Sequence, residues 1–113
     1  MTDLTRLAAD YRVAFLRYLP RREEAALAIG YELGRTSVAS GISVLELARI
    51  HHEVLREVLQ DSPVAEVADV ATGASDFFLE VLAAYDMAQR SFRAQADSQA
   101  DSQTDATDRP RGT

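Results

Sequence analysis

The residues of this chain best equipped for chemistry are the adjacent His51 and His52, followed by Glu53. An imidazole can ligate a metal, move a proton or take up a phosphoryl group. Neighbours on a helix point about 100° apart, however, so the two rings cannot converge on one ion. Nor is His51-His52-Glu53 the His-Glu-x-x-His pattern that sets two ligands one turn apart. The spacing suits a core His51, hydrogen-bonded to a neighbouring helix, and a surface His52. A phosphoacceptor histidine, as in a sensor-kinase bundle, is the sharper alternative, but that pattern has a single exposed histidine. Glu23 and Glu24 could act as paired carboxylates, yet two acids at a helix start are explained by the macrodipole. Ser37, Ser40 and Ser43 lack a base and acid in a nucleophilic arrangement, and Gly30 and Gly34 precede no Gly-Lys-Ser or Gly-Lys-Thr. Tyr11, Tyr18, Tyr31 and Tyr85 suit the edge of a core better than a stacking platform. No catalytic residue, metal site or cofactor is therefore expected.

The elements that carry these residues are helical. Leu4, Leu7, Ala8, Tyr11, Phe15, Tyr18 and Leu19 recur at helical spacing and describe an amphipathic first helix that Pro20 should end. A second helix is expected from about Arg21 to Ser40, with Ala26, Ile29, Leu33 and Ser37 inward and Gly30 and Gly34 allowing close approach of another helix. Gly41 suits the left-handed residue of a helix stop, and Ser43 with Glu46 forms a capping box for the next helix, so the two helices should meet in a tight antiparallel turn. That third helix, to about Gln60, is apolar around most of its circumference, with a narrow stripe of Glu46, Arg49, Glu53, Arg56 and Glu57. Such a helix is central in its own bundle or shared with another subunit. Asp61-Ser62-Pro63 should open the fourth and longest helix, with core candidates Val64, Val67, Ala68, Ala71, Ala74, Phe78, Val81, Leu82, Tyr85, Ala88 and Phe92. Beyond about Ala96 no large apolar residue occurs, which predicts a disordered tail.

Composition narrows the function. The chain has 113 residues, 47% of them hydrophobic, which suffices for one domain and one core. It has no cysteine, so disulfides and thiolate metal sites are excluded. No apolar run approaches the roughly 20 residues that span a bilayer, and the N-terminus lacks signal-peptide character, so a cytoplasmic, non-membrane protein is expected. The net charge is −6, and the 12 basic residues, all arginine, are scattered instead of gathered on one face. Nucleic-acid binding needs a concentrated positive footprint, so no nucleic-acid partner is expected.

The segment from Tyr18 to Leu55, with Leu33-Gly34-Arg35, Gly41-Ile42 and Ile50-His51-His52, resembles the N-terminal domain of RsbU-type phosphatases, bacterial regulators of the environmental stress response. The likeness continues through Phe77 to Ala88. It implies a dimeric all-helical domain that recruits a switch protein kinase. In that family the domain precedes a metal-dependent serine phosphatase domain, none of whose acidic metal-binding motifs fits in the residues that remain here, so the phosphatase activity is not carried over. The resemblance also implies a partner surface on the second and fourth helices. Glu24 matches an acidic position there and Leu79 an apolar one, whereas Ala28 and Ala83 stand where the family usually offers larger side chains. Independently of the family, Leu79, Ala83 and Met87 form an apolar line displaced from the core stripe of the fourth helix.

Together these readings give an all-α, antiparallel four-helix bundle over residues 1–95, expected to form a homodimer, with a disordered tail over 96–113. Its expected function is non-catalytic binding of a switch-kinase-type partner in sigma-factor regulation through Glu24, Ala28, Tyr31, Leu79, Ala83 and Met87. A purely structural dimerisation module and a histidine phosphotransfer bundle are the alternatives.

Overall fold

The computed structural model describes residues 3–108, as a bundle of four helices. Helix α1 (Asp3–Arg21), α2 (Glu24–Ala39), α3 (Val44–Asp61) and α4 (Val67–Asp108) follow one another through short corners, the last through a 3₁₀ turn at Val64–Glu66. The most extensive packing is between α2 and α4. Helix α1 packs on α2, α3 and α4, while α3 rests on α1 and α4.

The close pairing of α2 and α4 has a simple cause. A Cβ on Gly30 would lie 2.9 Å from the Phe77 ring, and one on Gly34 would drive into the Val81 carbonyl oxygen. Two turns of α2 thus present no side chain, and the α4 backbone moves into the space. Because α4 takes that place, α2 and α3 do not pack along each other. The corner between them instead holds Gly41 at φ 72°, and its Ile42 carbonyl accepts a 2.8 Å hydrogen bond from the Tyr85 hydroxyl of α4. The capping box at the start of α3 is complete: Ser43 Oγ accepts from the Glu46 amide at 3.1 Å, and Glu46 Oε2 accepts from the Ser43 amide at 3.2 Å.

Proline 20 does not stop the first helix. It lies exposed in the last turn of α1, where it forgoes one backbone bond on the solvent side. The stop is Arg22, at φ 55°. Its amide donates to the Tyr18 carbonyl at 2.7 Å and its Nε to the Leu19 carbonyl at 3.1 Å, so one residue supplies both the left-handed turn and a cap. The same guanidinium donates to the Asp69 carbonyl at 2.7 Å and lies over Gly73, where a Cβ would come within 2.5 Å of its carbon. The corner between α1 and α2 is clamped in this way to the first turns of α4.

An aromatic cluster fills the centre. Phe77 meets Tyr11 and Phe15 edge-on, at ring separations of 5.3 and 5.7 Å, and touches Tyr18 at 5.6 Å. All four residues are buried, with Leu47, Ile50 and Val54 of α3 and Ala74, Val81, Ala84 and Tyr85 of α4 around them. Several expected core positions lie elsewhere. Phe77, not Phe78, is central; Leu4, Ile29, Val64, Val67 and Phe92 are exposed, Val64 at 90% and Phe92 at 61%. The inward stripe of α4 is rotated toward the two glycines of α2, and Phe92 extends past the last turn of α2. Helix α3 is likewise less enclosed than its composition suggests, with Val44 and Leu45 on the surface.

Where composition suggests a tail from residue 96, the helical backbone of α4 continues to Asp108. The segment has alanine and glutamine and no proline before Pro110, so nothing in it stops a helix. It also has nothing to pack on: residues 96–99 are exposed, and local hydrogen bonds alone hold a single helix only marginally in water.

Candidate interaction surface

The outer faces of α2 and α4 border two shallow grooves that meet at Tyr31. In the first, of about 370 Å³, Glu24, Leu27, Ala28 and Tyr31 line one wall and Glu80 of α4 the other. The second, of about 390 Å³, runs from Tyr31, Arg35 and Val38 to Met87, Ala88 and Phe92. The helical repeat sets this order: Glu24, Ala28, Tyr31 and Arg35 recur every three or four residues on one side of α2.

Of the six residues expected to bind a partner, the structure brings four to these grooves: Glu24, Ala28 and Tyr31 to the first, Tyr31 and Met87 to the second. Leu79 and Ala83 line neither. They lie on the outer side of α4, Leu79 61% and Met87 58% exposed. The sequence reading did not include Leu27, Val38, Glu80 or Phe92. Of these, Phe92 carried a signal, since it is the last large apolar residue of α4 and α2 is too short to cover it. The chemical character changes along the surface: Glu24, Glu32 and Glu80 make the first groove acidic, whereas the second mixes Val38, Met87 and Phe92 with Arg35, Ser91 and Gln95 and carries no acid.

Two of the serines considered for chemistry have structural roles instead. Ser37 is buried and donates to the Leu33 carbonyl at 2.7 Å, and Ser43 caps α3. His52 is exposed. Among the described residues no group of three or more His, Asp or Glu side chains could hold a metal. His51 lies against α1 and α4. Its Nδ1 is 2.6 Å from the Tyr11 hydroxyl, and its ring stacks on Phe78 with centroids 4.0 Å apart and planes 5° from parallel. Burial pushes the Tyr11 phenol well above its usual range, so we assign the phenol as donor, which puts the imidazole proton on Nε2.

Burial, and next to it the charge of His52, lowers the pKa of His51 to about 4. In the unfolded chain His51 titrates near its ordinary 6.5, so between these values the unfolded state binds the extra proton. The stability that neutral His51 contributes is complete above about pH 6.5 and is lost as pH falls through about 4. Because the ring is partly open to water, the loss should be about 1 kcal/mol, less than the full shift implies. Urea melts at pH 7 and pH 4.5 check this: the pH-dependent loss should be smaller in His51→Gln than in wild type, and equal losses would refute it.

Residues 9–88 match the family model of the N-terminal domain of phosphoserine phosphatase RsbU. The chain belongs to the RsbU N-terminal domain family. No curated protein and no solved structure matches it. The matched range begins within α1 and ends in α4 at Ala88, so it takes in the aromatic core, the first groove and most of the second. The RsbU N-terminal domain is the regulatory part of a stress-response protein and is separate from the phosphatase domain. Among the described residues no helix is long and apolar enough to cross a membrane.

Proposed function

We propose that residues 1–95 form a non-catalytic, cytoplasmic interaction domain that dimerises and binds a switch-kinase-type partner along the outer faces of α2 and α4. The observation that carries this reading is the paired groove: an acidic half and a mixed half in which Val38, Met87 and Phe92 lie beside Arg35, continuous through Tyr31, on the two helices whose backbones are locked together. A surface on a rigid pair can hold a partner in one register. The exposed Leu79 and Ala83 extend it outward, as expected of apolar contacts ringed by polar groups. Docking there would bias the orientation of α4, and α4 is the element that leaves the bundle, so a change of its angle would reach whatever follows it.

Leu79→Arg tests the reading. Because Leu79 is exposed, the substitution should alter folding stability by no more than about 0.5 kcal/mol, while placing a charge in the apolar contact. Wild type and variant are compared in a pull-down from native cytosol with mass spectrometry. A serine-kinase-like protein retained by wild type and lost by Leu79→Arg is the expected result. Recovery of the chain alone would leave only a dimerisation module, and equal retention by both would move the partner surface elsewhere.

A further inference from the structure

One edge of α3 carries five exposed charges in alternation, Glu46, Arg49, Glu53, Arg56 and Glu57, of which Glu57 is taken up by the ion pair with Arg12 of α1. The other four are spaced by three, four and three residues, so they form one stripe along the helix, flanking the buried Leu47, Ile50 and Val54 on the side that borders α1. Spacings of three and four would let these charges pair along their own helix. Among the described residues none of them does; the ion pairs are those of Arg12 with Glu57, Arg21 with Glu23, Arg22 with Asp69, Arg35 with Glu32 and Arg90 with Asp86. Beside the stripe, Leu45 is 60% exposed and Leu59 half-buried, and a groove of about 450 Å³ between α1 and α3 has Leu4, Ala8, Ile50 and Val54 as its apolar floor.

We infer that this face of α3 is where a second copy of the chain docks, with the two α3 helices antiparallel about a two-fold axis near His51. The inference rests on the dimer proposed above and supplies its geometry. In a two-fold contact the same patch meets itself, so it must be complementary to its own inverse. Reversing α3 about residue 51 sets Glu46 opposite Arg56 of the other copy and Arg49 opposite Glu53, each pairing occurring twice. Every charge of the stripe then meets its opposite. The same antiparallel arrangement brings Leu45 of one copy toward Leu59 of the other. A parallel pairing would set each charge against itself, glutamate on glutamate and arginine on arginine. The alternation selects the antiparallel form, and its exposed ion pairs make the dimer weaken as salt rises.

Charge exchange tests the geometry with two single variants of the full chain, Glu53→Arg and Arg49→Glu. Both positions are exposed and outside the capping box, and circular-dichroism melts of both variants establish that the fold is retained. In sedimentation at low salt, each variant alone should dimerise at least tenfold more weakly than wild type. An equimolar mixture should regain near wild-type affinity as a one-to-one heterodimer, because arginine at 53 then faces glutamate at 49. A dimeric wild type whose variants associate equally well, or a mixture that fails to recover, overturns the α3 geometry and leaves the dimer standing. A wild type that stays monomeric at high micromolar concentration overturns the dimer itself.

Discussion

Gly34→Ala is expected to destabilise the domain by about 2–3 kcal/mol, although alanine is the better helix former by about 1 kcal/mol. The added methyl would meet the Val81 carbonyl oxygen, the Ala84 Cβ at 2.9 Å and the Tyr85 nitrogen at 3.0 Å, and two of these are backbone atoms. A backbone in the middle of a packed helix cannot step aside as a side chain can, so α2 and α4 must separate along their whole contact. For a domain of this size the melting temperature should fall by roughly 8–20 °C. Gly30→Ala is the control. There the neighbours are the Phe77 ring and a Val81 methyl, which can shift, so the loss should be smaller. Thermal melts followed by circular dichroism decide the matter, and a Gly34→Ala melt at or above the wild-type temperature would show that the two helices are farther apart than described.

Phe77→Ala should cost about 3–5 kcal/mol, a large part of the stability of any small domain. Phe77 is fully buried and touches three aromatic rings of α1, so its removal empties the centre of the molecule. Phe78→Ala, one residue along, should cost less, because Phe78 is only half-buried. Its signature is different: with the stacked ring gone, water reaches His51 and the imidazole pKa should rise toward its ordinary value. Chemical denaturation of both variants, with an NMR titration of His51 in the second, separates the two roles. Equal destabilisation by the two substitutions would contradict the assignment of the core.

This contrast shows what could be read before folding. The start of α3 was legible because its signals are local: Ser43 and Glu46 need only each other, and Gly41 needs only its own backbone freedom. The inward face of α4 was not. A helix with apolar residues at both 77 and 78 has two usable stripes, and the choice between them belongs to Gly30 and Gly34 on another helix. Arg22 was equally illegible, since nothing in its neighbourhood says that an arginine will take a left-handed turn and reach Asp69. The same division runs through the candidate surface. Glu24, Ala28 and Tyr31 share one side of α2 by helical repeat alone, and the structure finds them together. Their counterparts, Glu80, Val38 and Phe92, depend on how far α4 turns and how soon α2 ends.

The glycine contact between α2 and α4 also divides the molecule by how readily its parts open. With their backbones in contact and the corners at Arg22 and Ile42 tied across to Asp69 and Tyr85 of α4, α1, α2 and α4 share one cooperative unit. Helix α3 is attached through fewer contacts: the buried Leu47, Ile50 and Val54, the bond between Tyr11 and His51, the stack of His51 on Phe78 and the exposed ion pair of Glu57 with Arg12. Local unfolding follows such differences in attachment, so amide hydrogens of α3 should exchange with solvent through partial openings that leave the rest of the bundle intact. The contact proposed for α3 would therefore act where the fold is least secure, and the domain should then become harder to open as its concentration rises.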